Sequence, residues 1–550
     1  MSSARFSEQG RTGFASNATR LYVLLRIAKL AWFLPVLSLC LPVYSVGAQS
    51  SAELQQRGIK AFQSREFAVA ERLFQELVRE HPTPMAFSYL ATTEGAMGQY
   101  SQAIIHFRKS IELGNDTPLI RYNLALSYLK DHQPEPAMRE LKIALAKDPQ
   151  FTAARYALGV ALLSAGEPRE ALFELNQTRG SLSKNPAMWV TLARAGFSAG
   201  DATEALKAVD GAVNALPQNP RLFVELAQVC LRYRQPQKAR ELLEDATEVE
   251  PGDKGLKLLL AEVSLEVEEP QEALAVLENV PVSAGSPGQV DFLRGRAHLL
   301  RGELKAAAPL LEAAVAADPE SLDYLSNYAE LEALRQNYGG ALVSLNRAHQ
   351  AHPDSPGLAY QIAFIDTLMG RYQAAMGACQ EAIRLASNFD QARFLLGAIQ
   401  FERKEWLPAE VAFRSALSLK PRSALYRAAL GAAMFKAGSV ESSRHELDAS
   451  VALDPHTLLG YFWRAQLFAS QHDPAKAIAD LNVFVALDPN YPEAYAWLAR
   501  LYRVEKLEAK ATDAQDVYNS LQQKTGSPRI PLLLQQLGMI HFLEARGQSN

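Results

Sequence analysis

The sequence predicts an all-α solenoid built from about fourteen helix-turn-helix repeats. Alanine recurs at every 34th position along most of the chain, a second column with the same period holds only glycine or alanine, and no segment alternates like a strand. The alanine column is Ala103, Ala137, Ala171, Ala205, Ala239, Ala273, Ala307, Ala341, Ala375, Ala409, Ala477 and Ala511. The small column is Gly58, Ala91, Ala125, Gly159, Ala193, Ala227, Ala261, Gly295, Ala329, Ala363, Gly397, Gly431, Ala465 and Ala499. Such columns indicate two helices that cross closely once in every repeat.

Residues 1–48 differ from the rest of the chain. Five basic residues come before an apolar run from Leu30 to Val46, and the small residues Val46, Gly47 and Ala48 close it. This order predicts a secretory signal peptide, and therefore an exported chain, periplasmic or secreted, of bacterial type. The alternative is an uncleaved membrane anchor over residues 21–46, although the apolar run is near the lower limit for spanning a bilayer.

Composition and charge narrow the classes of partner. Hydrophobic residues make up 48% and charged residues 21% of the chain, as in a folded soluble protein. Loss of residues 1–48 would remove five basic residues and one acidic residue, which takes the net charge from −4 to about −8. No long basic cluster remains, so nucleic acid is not an expected partner, and a membrane is expected only through the N-terminal segment. Cys230 and Cys379 lie more than four repeats apart, and we predict two buried free thiols.

The remaining columns define the two helices and their ends. Bulky apolar residues follow the alanine column by four positions and form a stripe on the second helix: Phe74, Phe107, Leu141, Leu175, Val209, Leu243, Leu277, Leu311, Leu345, Phe413, Leu447 and Leu481. A glycine marks the turn between the two helices at Gly98, Gly166, Gly200, Gly302, Gly370 and Gly438. Proline marks the end of many second helices, for example Pro149, Pro217 and Pro251.

These columns predict the limits of the array. Repeats start at 51, at 84 and at every 34th position to 492, so the array covers 49–525. The segment 281–288 contains two prolines and two glycines and is the best candidate for a hinge. In the C-terminal region 526–550, Pro531 opens a further helix, and we predict that 531–545 caps the last apolar face.

The pattern resembles the tetratricopeptide repeat (TPR), which has a small residue at position 8, alanine at 20, a bulky apolar residue at 24 and proline at 32 of each repeat. One departure is position 4, where the family's aromatic residue is tryptophan only at Trp189. The resemblance implies a right-handed superhelical solenoid whose first helices line a concave groove. It also implies that positions 2, 5, 9 and 12 of each repeat face that groove, and the columns at positions 5 and 9 hold its aromatic and charged residues.

Carried over by position, those two columns predict a partner-binding site. The candidates, mostly aromatic with two arginines, are Tyr122, Tyr156, Arg194, Phe292, Arg296, Tyr360, Phe364, Phe394 and Phe462. Aromatic anchors with a polar surround suit an extended or helical peptide. The alternative is that the position-5 side chains pack between neighbouring repeats and never meet a partner.

Position 11 is polar in five successive repeats, where a bulky residue is usual: Ser264, His298, Glu332, Asp366 and Gln400. Polar groups at a helix interface cost free energy unless they are paired. Either these side chains are partly exposed or pair with nearby arginines such as Arg335, Arg393 or Arg427, or they form a polar seam that responds to pH or reads a ligand.

The sequence favours a non-catalytic, protein-binding scaffold acting outside the cytoplasm. It contains no phosphate-binding loop, no dinucleotide glycine motif, no nucleophile elbow and no zinc-protease motif, and we expect no cofactor and no metal. Two alternatives are an accessory factor for envelope assembly or for polysaccharide or protein export, and a carbohydrate-binding repeat protein. In the last case Tyr122, Tyr156, Phe292, Tyr360 and Phe394 would stack against sugars.

Overall fold

The computed structural model describes residues 48–524 and Leu532, and it describes side chains from 51 to 523 and at Leu532. These residues contain 28 helices and no strand. The helices alternate as first and second members of fourteen antiparallel pairs, which confirms the predicted all-α solenoid of helix-turn-helix repeats. The chain divides into two compact units, an N-terminal unit that ends at Leu256 and a C-terminal unit that begins at Lys257.

The pairs of the N-terminal unit run from α1 to α12, and α13 contains the division. They are α1 (Ala48–Gln63), α2 (Phe67–Glu80), α3 (Pro84–Met97), α4 (Tyr100–Glu112), α5 (Pro118–Lys130), α6 (Pro134–Lys147), α7 (Thr152–Ser164), α8 (Pro168–Asn176), α9 (Pro186–Ser198), α10 (Ala202–Ala215), α11 (Pro220–Arg232), α12 (Pro236–Val249) and α13 (Lys254–Glu266).

The C-terminal unit continues the same alternation. Its helices are α14 (Pro270–Leu277), α15 (Gln289–Leu300), α16 (Leu304–Ala317), α17 (Leu322–Leu334), α18 (Tyr338–Ala351), α19 (Pro356–Leu368), α20 (Tyr372–Leu385), α21 (Asp390–Glu402), α22 (Trp406–Leu419), α23 (Ala424–Lys436), α24 (Val440–Leu453), α25 (Leu458–Ser470), α26 (Pro474–Leu487), α27 (Pro492–Val504) and α28 (Glu508–Lys524). Odd-numbered helices are the first helices of their pairs.

Capping side chains set the start of most first helices. The Thr83 hydroxyl accepts a hydrogen bond from the Ala86 amide at 3.2 Å, and Pro84 occupies the first turn, where no amide hydrogen is needed. A similar capping bond is made by Thr117, Asn185, Asn219, Ser321, Ser355, Ser423 and Thr457. These residues form a further column, which the sequence reading did not single out.

The small column faces the bulky residue of the second helix in the same pair. A Cβ built on Gly159 would lie 2.5 Å from Leu175 Cγ, and one built on Gly397 would lie 2.8 Å from the Phe413 ring. Real Cβ atoms do not approach carbon atoms this closely, so at these glycine pairs any side chain at position 8 must displace the residue that faces it. Close approach of the two helices at position 8 is the physical reason why only glycine or alanine recurs there.

The turn inside each pair uses a left-handed backbone conformation at one position. Six turns place a glycine there, as predicted, with φ of +82° at Gly166 for example. Eight other turns place an ordinary residue in the same conformation: Arg65, His132, Arg234, Glu268, Gln336, Lys404, His472 and Lys506. For a residue with a Cβ this conformation costs about 1–2 kcal/mol.

Replacing His132 with glycine is expected to raise the free energy of unfolding by about 0.5–1 kcal/mol, since glycine removes the backbone cost but adds freedom to the unfolded chain. Thermal denaturation followed by circular dichroism measures the change. The matched reverse variant is Gly166→Ala, at the same position of the next repeat, which is expected to lose a similar amount. Lower stability of His132→Gly would contradict this account of the turn.

Arginine replaces the expected aromatic residue at position 4 in several pairs. Arg155 donates to the Glu174 carboxylate on the second helix at 2.7 Å and to the Pro149 carbonyl of the preceding turn at 2.7 Å. Arg427 contacts Glu446 and the Pro421 carbonyl in the same way. One side chain therefore fastens its own pair together and ties it to the turn before it.

The predicted hinge segment 281–288 and the residues just before it make several contacts within the C-terminal unit. Before the segment, Arg294 of α15 donates to the carbonyls of Leu277 at 2.7 Å and Val280 at 3.0 Å. The Tyr324 hydroxyl of α17 donates to the Pro287 carbonyl at 3.1 Å, and Ala284 is buried. The segment is thus bonded to α17, the residues before it are bonded to α15, and its role as a hinge stays a prediction.

The two predicted terminal elements lie almost entirely outside the described residues. Of the signal segment 1–48 only Ala48 is described, and of the predicted cap 531–545 only Leu532, which is 5% exposed and belongs to the core of the C-terminal unit. Among the helices that the structure describes, none is long and apolar enough to cross a membrane.

Candidate functional site

First helices of neighbouring pairs contact one another in both units, as α3 does with α5 and α23 with α25. A first helix also packs against its own second helix and against the second helix of the preceding pair. These contacts leave each first helix one open side. We call the surface formed by these open sides within a unit the first-helix face, and it is where a partner can reach the first helices.

The predicted aromatic anchors do not lie open on this face. Tyr360 and Phe394 have no accessible surface, and Phe364 is 3% exposed. Phe394 stacks on Tyr426 with ring centroids 4.8 Å apart and also packs against Phe413 at 5.2 Å. Their surface is used in packing between neighbouring pairs, and contact of these rings with a partner stays a prediction.

The other position-5 aromatics are also buried. Tyr122 packs against Phe151, and Phe292 packs against Tyr324 with ring centroids 4.7 Å apart. Tyr156 shares a hydrogen bond of 3.3 Å with Thr191 of the next first helix. Phe462 is 6% exposed, and all of the others are less than a tenth exposed. Burial raises the pKa of the Tyr156 phenol, as expected for a hydroxyl removed from water.

Arg194 and Arg296 are the two predicted site residues that remain partly exposed. Both occupy position 9, one helical turn beyond the buried position-5 column. Residues four apart lie on the same side of a helix, so the next turn after Arg296 places Leu300 beside it. Position 9 is partly exposed at Arg194 and Arg296 but buried at Phe364, so position 9 is open only in some first helices and position 5 is not open.

Position 13 contains a set of residues that the sequence reading missed. Leu300 and Leu334 are each 38% exposed, and Leu368 is partly exposed. They close the last turns of α15, α17 and α19, three successive first helices. We call Leu300, Leu334 and Leu368 the leucine stripe. These leucines recur every 34 residues, four positions after position 9, and this period in the sequence could have identified them.

Polar side chains at position 11 bond to residues in the turn between the two helices of their own pair. The His298 ring contacts the Glu303 carboxylate at 2.6 Å, and Glu332 accepts from Asn337 and from Arg335. Glu303 and Asn337 each lie five positions beyond the polar side chain, in the turn of the same pair.

Asp366 follows the same pattern, with Arg371 at 3.2 Å. Burial raises the pKa of the Asp366 carboxyl, and Arg371 opposes that shift. Two buried acceptor atoms of the column, Asp366 Oδ1 and Gln400 Oε1, have no hydrogen-bond partner in the part of the chain described, and Asp366 keeps only its ion pair with Arg371. Of the three arginines predicted as partners, Arg335 pairs with this column, whereas Arg393 and Arg427 bond elsewhere. Three members of the column, His298, Glu332 and Asp366, are therefore paired with residues at the end of their own helix or in the turn that follows, and a ligand-reading or pH-sensitive role stays a prediction.

The two cysteines outside the N-terminal segment are buried and free, as predicted. Burial raises the pKa of the Cys230 thiol to about 12 and also raises that of Cys379. Both therefore remain protonated thiols at neutral pH, which makes them poor nucleophiles. Within residues 48–524, no group of three or more His, Cys, Asp or Glu side chains is placed to hold a metal ion.

Comparison with curated proteins finds a local likeness. This chain is 31% identical over 115 residues to the Superkiller complex protein 3 of Mus musculus, and 29% identical over 115 residues to that of Homo sapiens. Each match covers 21% of this chain and 7% of the relative. The chain thus spans a small fraction of the length of these relatives.

Comparison with solved structures finds likenesses that extend over most of the chain. The crystal structure of the APC/C hetero-tetramer Cut9–Hcn1 matches with a TM-score of 0.41 and 15% identity, covering 82% of this chain and 97% of that chain. Yeast Tom70 matches with a TM-score of 0.36 and 14% identity, covering 89% of this chain and 99% of that chain.

Family models give the broader result. Models described as tetratricopeptide repeat match residues 128–195, 196–251, 231–291, 292–356 and 429–492, together just over half of the chain. The columns at positions 8, 20, 24 and 32 and the fourteen helix pairs agree with this match. On these grounds the chain belongs to the tetratricopeptide repeat family.

Proposed function

We propose that this protein is an exported, non-catalytic scaffold that binds protein partners through the first-helix face of its helix pairs. The observation that carries the proposal is the leucine stripe. Three leucines at one position of successive first helices give an apolar line on the open side of the helices, where burial would be favourable only against a partner.

Size and chemistry of the stripe suit a protein segment. Neighbouring helices pack about 8–10 Å apart, so the stripe is roughly 20 Å long. An extended segment of about six residues covers that length. Arg296 lies one turn before Leu300 and would supply a polar contact at one end, as anchors with a polar rim do in other interfaces.

Export is the second part of the proposal, and it rests on the sequence of residues 1–48. A basic stretch, an apolar run and small residues at Val46, Gly47 and Ala48 are the three parts of a secretory signal. Buried free thiols and a net negative body are compatible with a periplasmic or secreted chain. The membrane-anchored alternative predicts that the full precursor mass is retained.

The test is affinity capture from cells that express the full precursor with a C-terminal tag. The variant is Leu300→Ser with Leu334→Ser, and bound proteins are identified by mass spectrometry. We expect at least one protein that the native chain captures in constant ratio to be depleted about tenfold or more by the variant, because each buried leucine contributes roughly 1.5–3 kcal/mol to binding. The mass of the captured chain also shows whether residues 1–48 have been removed.

A matched control makes the same kind of substitution, an exposed apolar residue to serine, on the second helices instead of the first helices. Val343 and Leu407 are 71% and 67% exposed on the second helices α18 and α22, so Val343→Ser with Leu407→Ser removes comparable apolar area from the other side of the pairs. Native, control and variant chains should melt at similar temperatures, since exposed substitutions change stability little. If all three capture the same proteins in the same amounts, the first-helix face is not the binding surface.

Two alternatives make different predictions in the same experiment. An accessory factor for envelope assembly or export would show stable, stoichiometric partners from one machine. A glycan-binding protein would capture no discrete protein through this face. The rings first considered as sugar platforms, such as Tyr360 and Phe394, are buried and offer no open surface for stacking, so the protein-binding role has the stronger support.

A further inference from the structure

Beyond the leucine stripe, the first-helix face of the C-terminal unit changes from apolar to aromatic and basic. Position 13 of the next two first helices is Glu402 and then Lys436. The Lys436 ammonium lies 5.0 Å from the ring centroid of Trp463 and 5.4 Å from that of Phe435. Phe401 meets Trp463 edge to face at 5.4 Å, so three first helices converge here.

The same combination recurs one repeat later on α27. Trp497 occupies the position of Trp463, and the Arg500 guanidinium lies 5.6 Å from the Trp497 ring centroid. Arg503, one turn further, is exposed and donates to the neutral Gln515 side chain at 3.1 Å. We call Phe435, Lys436, Trp463, Trp497, Arg500 and Arg503 the aromatic-basic patch.

The cations of this patch have no acidic partner among the described residues. Several other arginines of the first helices are in ion pairs: Arg155 with Glu174, Arg427 with Glu446 and Arg464 with Asp480, all within 2.8 Å. By contrast, no carboxylate lies within ion-pair distance of Lys436, Arg500 or Arg503 in the part of the chain described. The patch therefore stands out as a place where positive charge is left uncompensated.

Partial desolvation beside the aromatic rings lowers the pKa of the Lys436 ammonium, although the residue as a whole stays exposed. The two rings compensate in part through cation–π attraction. A bound anion would offset the remaining loss of hydration free energy of the ammonium. The site therefore suits a negative group, which the described part of the chain does not supply.

Nearby acids do not cancel this charge. Glu402 precedes Lys436 by one repeat, and burial raises the pKa of its carboxyl. Glu493 lies in the first turn of α27, and Glu505 follows Arg503 by two residues. None of these carboxylates forms an ion pair with Lys436, Arg500 or Arg503 among the described residues.

We propose that the aromatic-basic patch binds the acidic part of an extended peptide segment whose apolar part lies on the leucine stripe. Carboxylates of the segment pair with Lys436, Arg500 and Arg503, and its apolar side chains contact the exposed edges of Trp497 and Phe435. Leu368 and Lys436 are two repeats apart, roughly 20 Å, which an extended peptide spans with about six residues.

A peptide fits this patch better than an acidic sugar polymer. Sugars stack on open ring faces, but the cations already lie over Trp463 and Trp497, and Trp463 is 9% exposed. What remains accessible is the charged groups and the ring edges, which carboxylate and aliphatic side chains contact well. The inference rests on the proposed function, since it names the chemistry of the segment that the first-helix face would hold.

The test measures binding of a fluorescent peptide of alternating glutamate and leucine to the purified full chain by anisotropy. The variant Lys436→Gln with Arg500→Gln is expected to weaken binding about tenfold or more, since it removes two charge-assisted contacts. A peptide with glutamine in place of glutamate should bind the native chain equally weakly. Raising the salt from about 50 mM to about 300 mM should weaken the acidic peptide and leave the glutamine peptide nearly unchanged.

The control is Arg384→Gln with Arg414→Gln, which removes two exposed arginines from the second helices α20 and α22. Equal weakening by this control would mean that general charge is responsible, and the proposal would fail. An oligogalacturonate of the same charge is the second probe: if it binds through Lys436 and Arg500 while the peptide does not, the patch is a polysaccharide site and the proposal is overturned. No binding of either probe also overturns it, and it leaves the proposed function standing as long as the leucine-stripe variant still loses its captured protein.

Discussion

Replacing Phe394 with alanine is expected to lower the free energy of unfolding of its region by about 3–5 kcal/mol. The ring has no accessible surface and packs against Phe413 of its own pair and Tyr426 of the next pair. Its removal leaves a cavity that two pairs share, and the packed helices around it can collapse only in part. A residue that served as a partner anchor would show little loss of stability on the same change.

Hydrogen exchange measured by mass spectrometry is the suitable readout, because a solenoid opens locally and its pairs need not unfold together. We expect faster exchange in α21 to α23 and unchanged exchange in α1 to α6. The matched control is Phe173→Ala on α8, where the ring is 67% exposed and its loss should cost little. Similar protection in both variants would show that Phe394 is not a core residue and would make it a candidate partner contact again.

Replacing Gly159 with leucine is expected to destabilise the pair α7–α8 by about 1–3 kcal/mol or more. The new Cβ would lie 2.5 Å from Leu175 Cγ, and the remaining atoms would have no space between the two helices. The helices must move apart or rotate, which breaks their contacts with the pairs on either side. Urea denaturation followed by circular dichroism reports the loss.

A second substitution tests whether this contact is the cause. Leu175→Ala alone removes a buried side chain and should also destabilise, but Gly159→Leu with Leu175→Ala should be more stable than the sum of the two losses predicts. Gly377→Ala on α20 is the contrasting control, because nothing lies within 4 Å of its added Cβ and alanine favours a helix. Additive losses at positions 159 and 175 would show that the two residues do not constrain each other.

The fold was predictable because its cause is local and repeated. A small residue at position 8 and a bulky residue at position 24 lie within one repeat, and the same contact recurs from pair to pair, as between Gly431 and Leu447. Fourteen near-copies of one packing unit make the period visible in a single sequence. The turn glycines were predictable for the same reason. Eight other turns place a non-glycine residue in the same left-handed backbone conformation, which costs free energy.

The site was predicted less well, for a geometric reason. An internal first helix packs against four neighbours, so its buried surface covers more than the single stripe that a surface helix shows. Tyr360 and Leu334 are both large residues that occupy a fixed position in the 34-residue repeat. The repeat period by itself does not show that Tyr360 is fully buried and that Leu334 is 38% exposed. Only the packing of neighbouring first helices assigns position 5 to the core and position 13 to the open side.

By itself the sequence determined the class of fold, the length of the unit, the number of pairs, the family and the buried free thiols, because each depends on contacts within one repeat or on residue type. Tertiary structure decided which side of the first helices is open, that Arg155 and Arg427 tie pairs to preceding turns, and that Lys436, Arg500 and Arg503 have no acidic partner among the described residues. These features depend on distances between residues of different helices, and side-chain charge and exposure follow from those distances rather than from the order of residues in the chain.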